Sequence, residues 1–200
     1  MTDRHVPLRP SELTPAQAEL YARIAGGPRA AGPQLFALTD SEGRLNGPFD
    51  AMLLAPRLGD ALQGLGAGVR YGTSLSDRVR EMAILAVATH WDSAFERYAH
   101  EAIGRAAGLS RQEVQALRDL PALVPDDPRE AAALDLVRAL LTEQDLDDEG
   151  WAAARAVLDE AEVFELTTLV GYYATLALVM RVFRTPTPGV HGVDGASVDS

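Results

Sequence analysis

Two histidines, two glutamates, a serine, a tryptophan and a tyrosine fall within the twenty residues from Glu81 to His100, in a chain with four histidines and no cysteine. Glu96 and His100 are four positions apart, so on a helix they stand one above the other on one face. Ser93 lies seven positions before His100, two turns back on that face. Glu81 opens an apolar run that belongs to a separate helix or to an earlier part of the same one. A carboxylate, an imidazole and a hydroxyl lined up beside apolar residues are parts for proton transfer. The competing reading is a polar pair at i,i+4 that simply satisfies itself on a helix surface. His90, Glu96 and His100 could in principle coordinate zinc, but no metal-ligand spacing is readable and no metal is assigned. His5 and His191 fall in expected arms with no chemical role.

These residues need helices to position them. Thr14, with Pro15 at the first helical position and Gln17 three residues on, predicts a helix start that ends at Gly26-Gly27. The stretch Pro28 to Pro48 reads as an ordered loop. It is longer than a usual connection, which suggests a lid, a pocket wall or an interface. A short helix is expected over Pro48 to Leu54 and another from Pro56, weakened at its end by Gly64, Gly66 and Gly68. Ser76 is the predicted cap of the helix carrying Glu81, and Asp92 that of the helix carrying Glu96 and His100, which stops at Gly108. Ser110 with Glu113 opens a short helix to Leu117, and Leu120 to Pro128 is a linker. Helices follow over Arg129 to Leu141, Glu149 to Leu158 (capped by Asp145 or Asp147) and Glu162 to Phe183. No alternation strong enough for a sheet is present, so the expected fold class is all-α, an alanine-rich bundle.

Composition limits the function classes. Eighteen basic residues, all arginine, against 29 acidic residues give a net charge of -11, with no basic stripe to offset it. Such a field repels nucleic acid and anionic membranes, and neither is an expected partner. The absence of cysteine removes disulfides, thiolate nucleophiles and cysteine-ligated metals. The first residues lack the apolar run of a signal peptide, and the apolar stretch Leu166 to Val182 is broken by Thr167, Thr168, Gly171, Tyr172, Tyr173 and Thr175. That stretch reads as a core helix, and a cytoplasmic location is expected.

The runs Arg80-Glu81, Ile84 to Ala88, Ala94 to His100 and Ile103 to Ser110 resemble the carboxymuconolactone decarboxylase family, part of the alkylhydroperoxidase D-like superfamily. The likeness is carried by a core of about residues 49–117. Gly43 to Phe49 and Phe164 to Tyr173 are similar to longer, roughly 200-residue members. The resemblance implies an alkylhydroperoxidase D-like antiparallel helical bundle, a single domain over residues 1–200. The Pro-rich residues 1–13 are expected to form an N-terminal arm, and the aperiodic residues 185–200 a flexible tail. The resemblance also implies a homo-oligomer, trimer or hexamer favoured over dimer.

In the peroxidase-like branch a glutamate, two cysteines and a histidine form the redox centre, and those places correspond here to Glu81, Ser93, Glu96 and His100. A hydroxyl and a carboxylate cannot cycle through a disulfide, so thiol peroxidase activity is excluded. Glu96 and His100 instead match the Tyr-Glu-Trp-x-x-His pattern of the decarboxylase branch, with Arg97 in place of its tryptophan. The expectation is a cofactor-free acid/base lyase acting on a small carboxylated lactone or related enolisable acid. His100, Glu96 and Glu81 are its candidate catalytic residues, and Ser93, His90, Trp91 and Arg97 its candidate substrate contacts. The alternative is a non-catalytic small-ligand-binding or structural oligomer, in which the same polar residues hold helices together.

Overall fold

The computed structural model describes residues 4–27, 35–119 and 123–188, and among these every regular element is helical. The α-helices are α1 (Pro15–Ala25), α2 (Pro48–Met52), α3 (Pro56–Tyr71), α4 (Asp77–His90), α5 (Ala94–Ala106), α6 (Arg111–Leu117), α7 (Pro128–Thr142), α8 (Asp148–Arg155) and α9 (Glu160–Phe183). One isolated antiparallel bridge, Thr39 to Leu45, is the only extended pairing among the described residues.

Local chemistry accounts for most boundaries. Thr14 and Gln17 form a capping box ahead of Pro15, and Ser110 and Glu113 form another ahead of α6. The Ser76 hydroxyl accepts from Val79 N–H at the start of α4. Asp147 caps α8, and Asp159 caps α9 one turn ahead of the expected start at Glu162. The glycines of α3 do not end it early, and the helix runs to Tyr71. Asp92 is not the cap of α5. It takes a left-handed backbone (φ 49°) in the turn after α4, and Ser93 occupies the cap position without a side-chain hydrogen bond.

α4 is the axle of the bundle. Every residue from Glu81 to Ala88 is buried, and the helix packs on α5, α7 and α9. A helix enclosed on all sides must be apolar all round, which makes its one buried carboxylate, Glu81, the exception that requires a partner. α5 approaches α4 closely at Gly104, where a Cβ would stand 3.0 Å from Leu109 Cδ1 and 3.7 Å from Glu81 Cβ. The missing side chain thus sets the distance at which an α5 side chain can reach Glu81. α9 is long and apolar enough to cross a membrane by length and composition alone, and half of its most apolar window is buried inside the bundle.

The N-terminal arm is docked. His5 pairs with buried Asp50 of α2 and lies edge-on to Phe183 at the end of α9, while Leu8 N–H donates to the second Asp50 oxygen at 3.0 Å. Arg4 donates to Val182 O at 3.0 Å. His5 therefore has a structural partner that its place in an arm did not suggest. Residues 28–34 of the expected loop, 120–122 of the expected linker and 189–200 of the expected tail, with His191, lie outside the described residues.

Candidate functional site

Three of the sequence-predicted residues meet in the interior. His100 Nδ1 stands 2.6 Å from Glu81 Oε2, and His100 Nε2 stands 3.3 Å from Glu96 Oε2. All three are buried, with exposures of 1% for Glu81, 3% for Glu96 and 5% for His100. The first contact joins α4 to α5. The second is the i,i+4 pair read from the sequence. Glu96 belongs to the first turn of α5 yet turns inward to His100 rather than out to solvent.

Two further residues close the cluster. Arg70 of α3 places Nη1 3.7 Å from Glu81 Oε1 and 3.5 Å from the Tyr173 hydroxyl of α9. The Tyr173 ring meets His100 edge to face, with centroids 5.3 Å apart at 90°, and Tyr172 meets Tyr173 in the same manner at 5.2 Å. Four helices therefore contribute to one polar core. Sequence reasoning used Tyr172 and Tyr173 as interruptions of an apolar run and as part of a family-like segment, gave them no place in the site, and passed over Arg70. The signal available was weak, a polar residue at the end of α3 and an aromatic hydroxyl in a core helix.

The electrostatics follow from the contacts. Burial alone would raise the Glu81 carboxyl, but the imidazolium of His100, its hydrogen bond and the Arg70 charge outweigh that and hold it below the ordinary range. Burial would likewise lower His100, and the two carboxylates override it and raise the imidazole above its usual value. Tyr173 moves up through burial, so its hydroxyl stays protonated. The outcome is a cationic imidazole gripped at both nitrogens. Two buried oxygens, Glu96 Oε1 and Ser93 Oγ, have no hydrogen-bond partner, and Glu81 Oε1 faces only the distant Arg70. Both of these unsatisfied acceptors lie at the start of one helix, α5, where a buried polar atom without a partner calls for an explanation.

The remaining expected substrate contacts divide. Trp91 and Ser93 line a cleft of about 440 Å³ between the α4–α5 turn and the end of α9. His90 is exposed, stacks edge-on against Trp91 and does not join Glu96 and His100, so a zinc site from those three residues is not assembled. Arg97 pairs with Asp92 Oδ1 at 2.7 Å and donates to Ala88 O at 3.3 Å, which ties the turn to α5 instead of facing the triad. None of Glu81, Glu96 and His100 lines that cleft or the smaller one beside His5. Among the described residues no group of three or more histidines and carboxylates is disposed to hold a metal ion.

Residues 56–139 match the model of the carboxymuconolactone decarboxylase family. The likeness read from the sequence is therefore borne out over α3 to α7, the segment that supplies Arg70, Glu81, Glu96 and His100. No curated protein matches the chain. Among solved structures, a protein of unknown function from Agrobacterium tumefaciens, provisionally named an antioxidant defence protein AhpD, is 19% identical with a TM-score of 0.62. That match covers 72% of this chain and 99% of the other. The debrominase Bmp8 without ligand is 16% identical with a TM-score of 0.69, over 92% of this chain and 91% of the other. A cysteine-to-alanine variant of Bmp8 in complex with 2,3,4-tribromopyrrole aligns with the same identity and TM-score. At these identities the likeness is one of fold, and the fold is the expected alkylhydroperoxidase D-like all-α bundle.

Proposed function

We propose that the chain is a cofactor-free acid/base enzyme of the decarboxylase type, acting on a small carboxylated lactone or related enolisable acid. The observation that carries the reading is the His100 imidazole held between Glu81 and Glu96, beside the unpartnered oxygens of Glu96 and Ser93. In the proposed reaction the carbon–carboxylate bond breaks, carbon dioxide leaves, and the electron pair passes into an enolate conjugated with a carbonyl. His100 then gives its Nε2 proton to carbon and recovers one from water. Glu81 fixes the ring through Nδ1 and keeps the imidazolium stable until the proton is needed. Glu96, on the Nε2 side, orients the ring, and its free oxygen is an acceptor for a substrate hydroxyl. On this reading access comes from the side of Ser93, which lines the cleft within a turn of Glu96.

The debrominase likeness does not transfer its reaction. The tribromopyrrole complex of Bmp8 was formed by a cysteine-to-alanine variant, and this chain has no cysteine at all. A second reading has one observation in its favour: the triad is sealed from both clefts within a single chain. On that reading Glu81, Glu96 and His100 are a buried network holding α4 to α5 in a non-catalytic oligomer.

The two readings separate on turnover. The purified chain is given a carboxymuconolactone-type substrate and loss of the conjugated absorbance is followed. Turnover that drops at least ~100-fold in kcat on His100→Ala supports the enzyme. An inactive wild type removes this substrate class, and a fully active His100→Ala variant removes His100 from the chemistry.

A further inference from the structure

The cleft next to Ser93 has a composition that its neighbours do not require. Its floor is the start of α5, where Ser93 is 8% exposed and its hydroxyl is buried without a partner. The first intrahelical bond there runs from Arg97 N–H to Ser93 O, so the amides of Ala94, Phe95 and Glu96 have no acceptor within α5. The side chain that would ordinarily cap this end makes no capping hydrogen bond. The opposite wall is the end of α9, which presents Arg181 and Arg184, two exposed guanidinium groups with no ion pair among the described residues. Met180, Phe95 and Trp91 make the rest of the lining largely apolar. Asp92 also lines the cleft, but its carboxylate is already paired with Arg97.

The backbone takes unusual forms on both sides. Three non-glycine residues among those described have positive φ, and two of them, Asp92 and Arg184, line this cleft. Aspartate tolerates the left-handed region, whereas for arginine it is uncommon. Arg184 is held there as the cap of α9, with Thr185 N–H donating to Met180 O at 2.9 Å. In a chain of net charge -11, two unpaired cations facing an unsatisfied helix start are a local reversal of the field.

We propose that this cleft binds the carboxylate of a small, partly apolar organic acid. Arg181 and Arg184 hold the acid from the α9 side, above the start of α5, and the Ser93 hydroxyl, buried as it stands, reaches it by rotation about its Cα–Cβ bond. The inference rests on the acid/base reading of the triad for its substrate class, since an anchored carboxylate would direct the rest of the molecule toward Glu96. It commits to more than that reading does, because it names the groups that recognise the anion and a second helix, α9, as their source. A volume of about 440 Å³ suits a single ring bearing one or two substituents.

Binding can be measured without turnover. Isothermal titration of the full chain at low salt uses benzoate as the probe and benzamide, its uncharged analogue, as the control. Benzoate is expected to bind at least about tenfold more tightly than benzamide. The double variant Arg181→Gln/Arg184→Gln should weaken benzoate at least about tenfold and leave benzamide unchanged. Both arginines are exposed and in no ion pair among the described residues, so glutamine removes the charge at little cost in contacts, and Ser93→Ala gives an independent check from the floor. The proposal is overturned by the absence of saturable benzoate binding up to about 10 mM. Benzoate affinity unaltered in the double variant, or equal affinity for benzamide, overturns it as well. Arginine-dependent benzoate binding in a protein that turns nothing over would keep the site and discard the proposed reaction. Decarboxylation indifferent to both arginines would do the reverse.

Discussion

Replacing Glu81 by glutamine removes one charge from a buried cluster and changes almost nothing in shape. Counted as formal charges, Glu81 and Glu96 balance His100 and Arg70, so the native cluster is neutral when the imidazole is protonated. Without Glu81 the same cluster carries one uncompensated positive charge, and breaking a buried pair in this way costs 3–5 kcal/mol in general. Glutamine can still accept from His100 Nδ1–H, which puts the expected loss at the low end, about 3 kcal/mol near pH 6. In a domain of this size that is a fall in Tm of about 6–12 °C.

The pH dependence follows from the two shifts. Glu81 is lowered from an ordinary 4.5, so its contribution is present above that value and lost as pH falls through its folded pKa. His100 is raised from 6.5, so its contribution is full below that value and lost as pH rises through its folded pKa. The wild type should therefore gain most from the pair between roughly pH 4.5 and 6.5. Near pH 8 the variant sheds the imidazole proton, the cluster is neutral again, and the penalty falls toward about 1 kcal/mol, that of an exchanged hydrogen bond. Urea unfolding by circular dichroism near pH 6 and pH 8, at one fixed protein concentration, tests both values. Equal penalties at the two pH values, or a penalty below about 1 kcal/mol near pH 6, would refute the charge-balance argument.

Tyr173→Phe should cost only about 1 kcal/mol, since it deletes the hydroxyl near Arg70 and keeps the ring against His100, whereas Tyr173→Ala should cost about 3–5 kcal/mol. Equal loss in the two variants, read from unfolding midpoints, would show that the hydroxyl rather than the ring holds that corner. Sedimentation at micromolar concentration should give a multiple of the 21.4 kDa chain mass, three or six copies, because α9 turns Phe164, Leu178 and Val182 to solvent with Phe164 71% exposed. A 21.4 kDa species would contradict this, and Leu178→Glu should yield that species if the α9 face is the contact.

Most of the helical frame was readable because its start signals are local. Thr14, Ser76 and Ser110 cap where their spacing to Gln17, Val79 and Glu113 says they should. The i,i+4 relation of Glu96 to His100 is a property of any helix, and it holds here. Asp92 and Ser93 are both good cap residues, and only the left-handed φ of Asp92, which no spacing encodes, gives the role to Ser93. The weakening expected at the end of α3 does not shorten it: glycine lowers helix propensity, but packing of α3 on α1, α2 and α9 overrides it. The Glu81 to His100 contact came through likeness to a family rather than spacing, as the two lie 19 residues apart on different helices. Arg70 and Tyr173, 103 residues apart, had only the weak signs of a polar helix end and a core hydroxyl, and nothing local to pair them. That His5 reaches Asp50 was hidden for the same reason.

The docked arm ties together parts of the chain that are almost its whole length apart. Arg4 reaches the carbonyl of Val182 across 178 positions, and His5 leans on Phe183, one residue before Arg184. Closing so long a loop is not much dearer than closing a short one, about 0.6 kcal/mol for each doubling, but it is a contact that forms late. The order of assembly is then built into the topology. Neighbouring helices α4 and α5 can bring Glu81 to His100 while the chain is still open at its ends. The wall bearing Arg181 and Arg184 gains its final bracing only when the arm folds back over the last turn of α9. Such a molecule finishes its interior before its doorway, and the doorway is kept in shape by the arm.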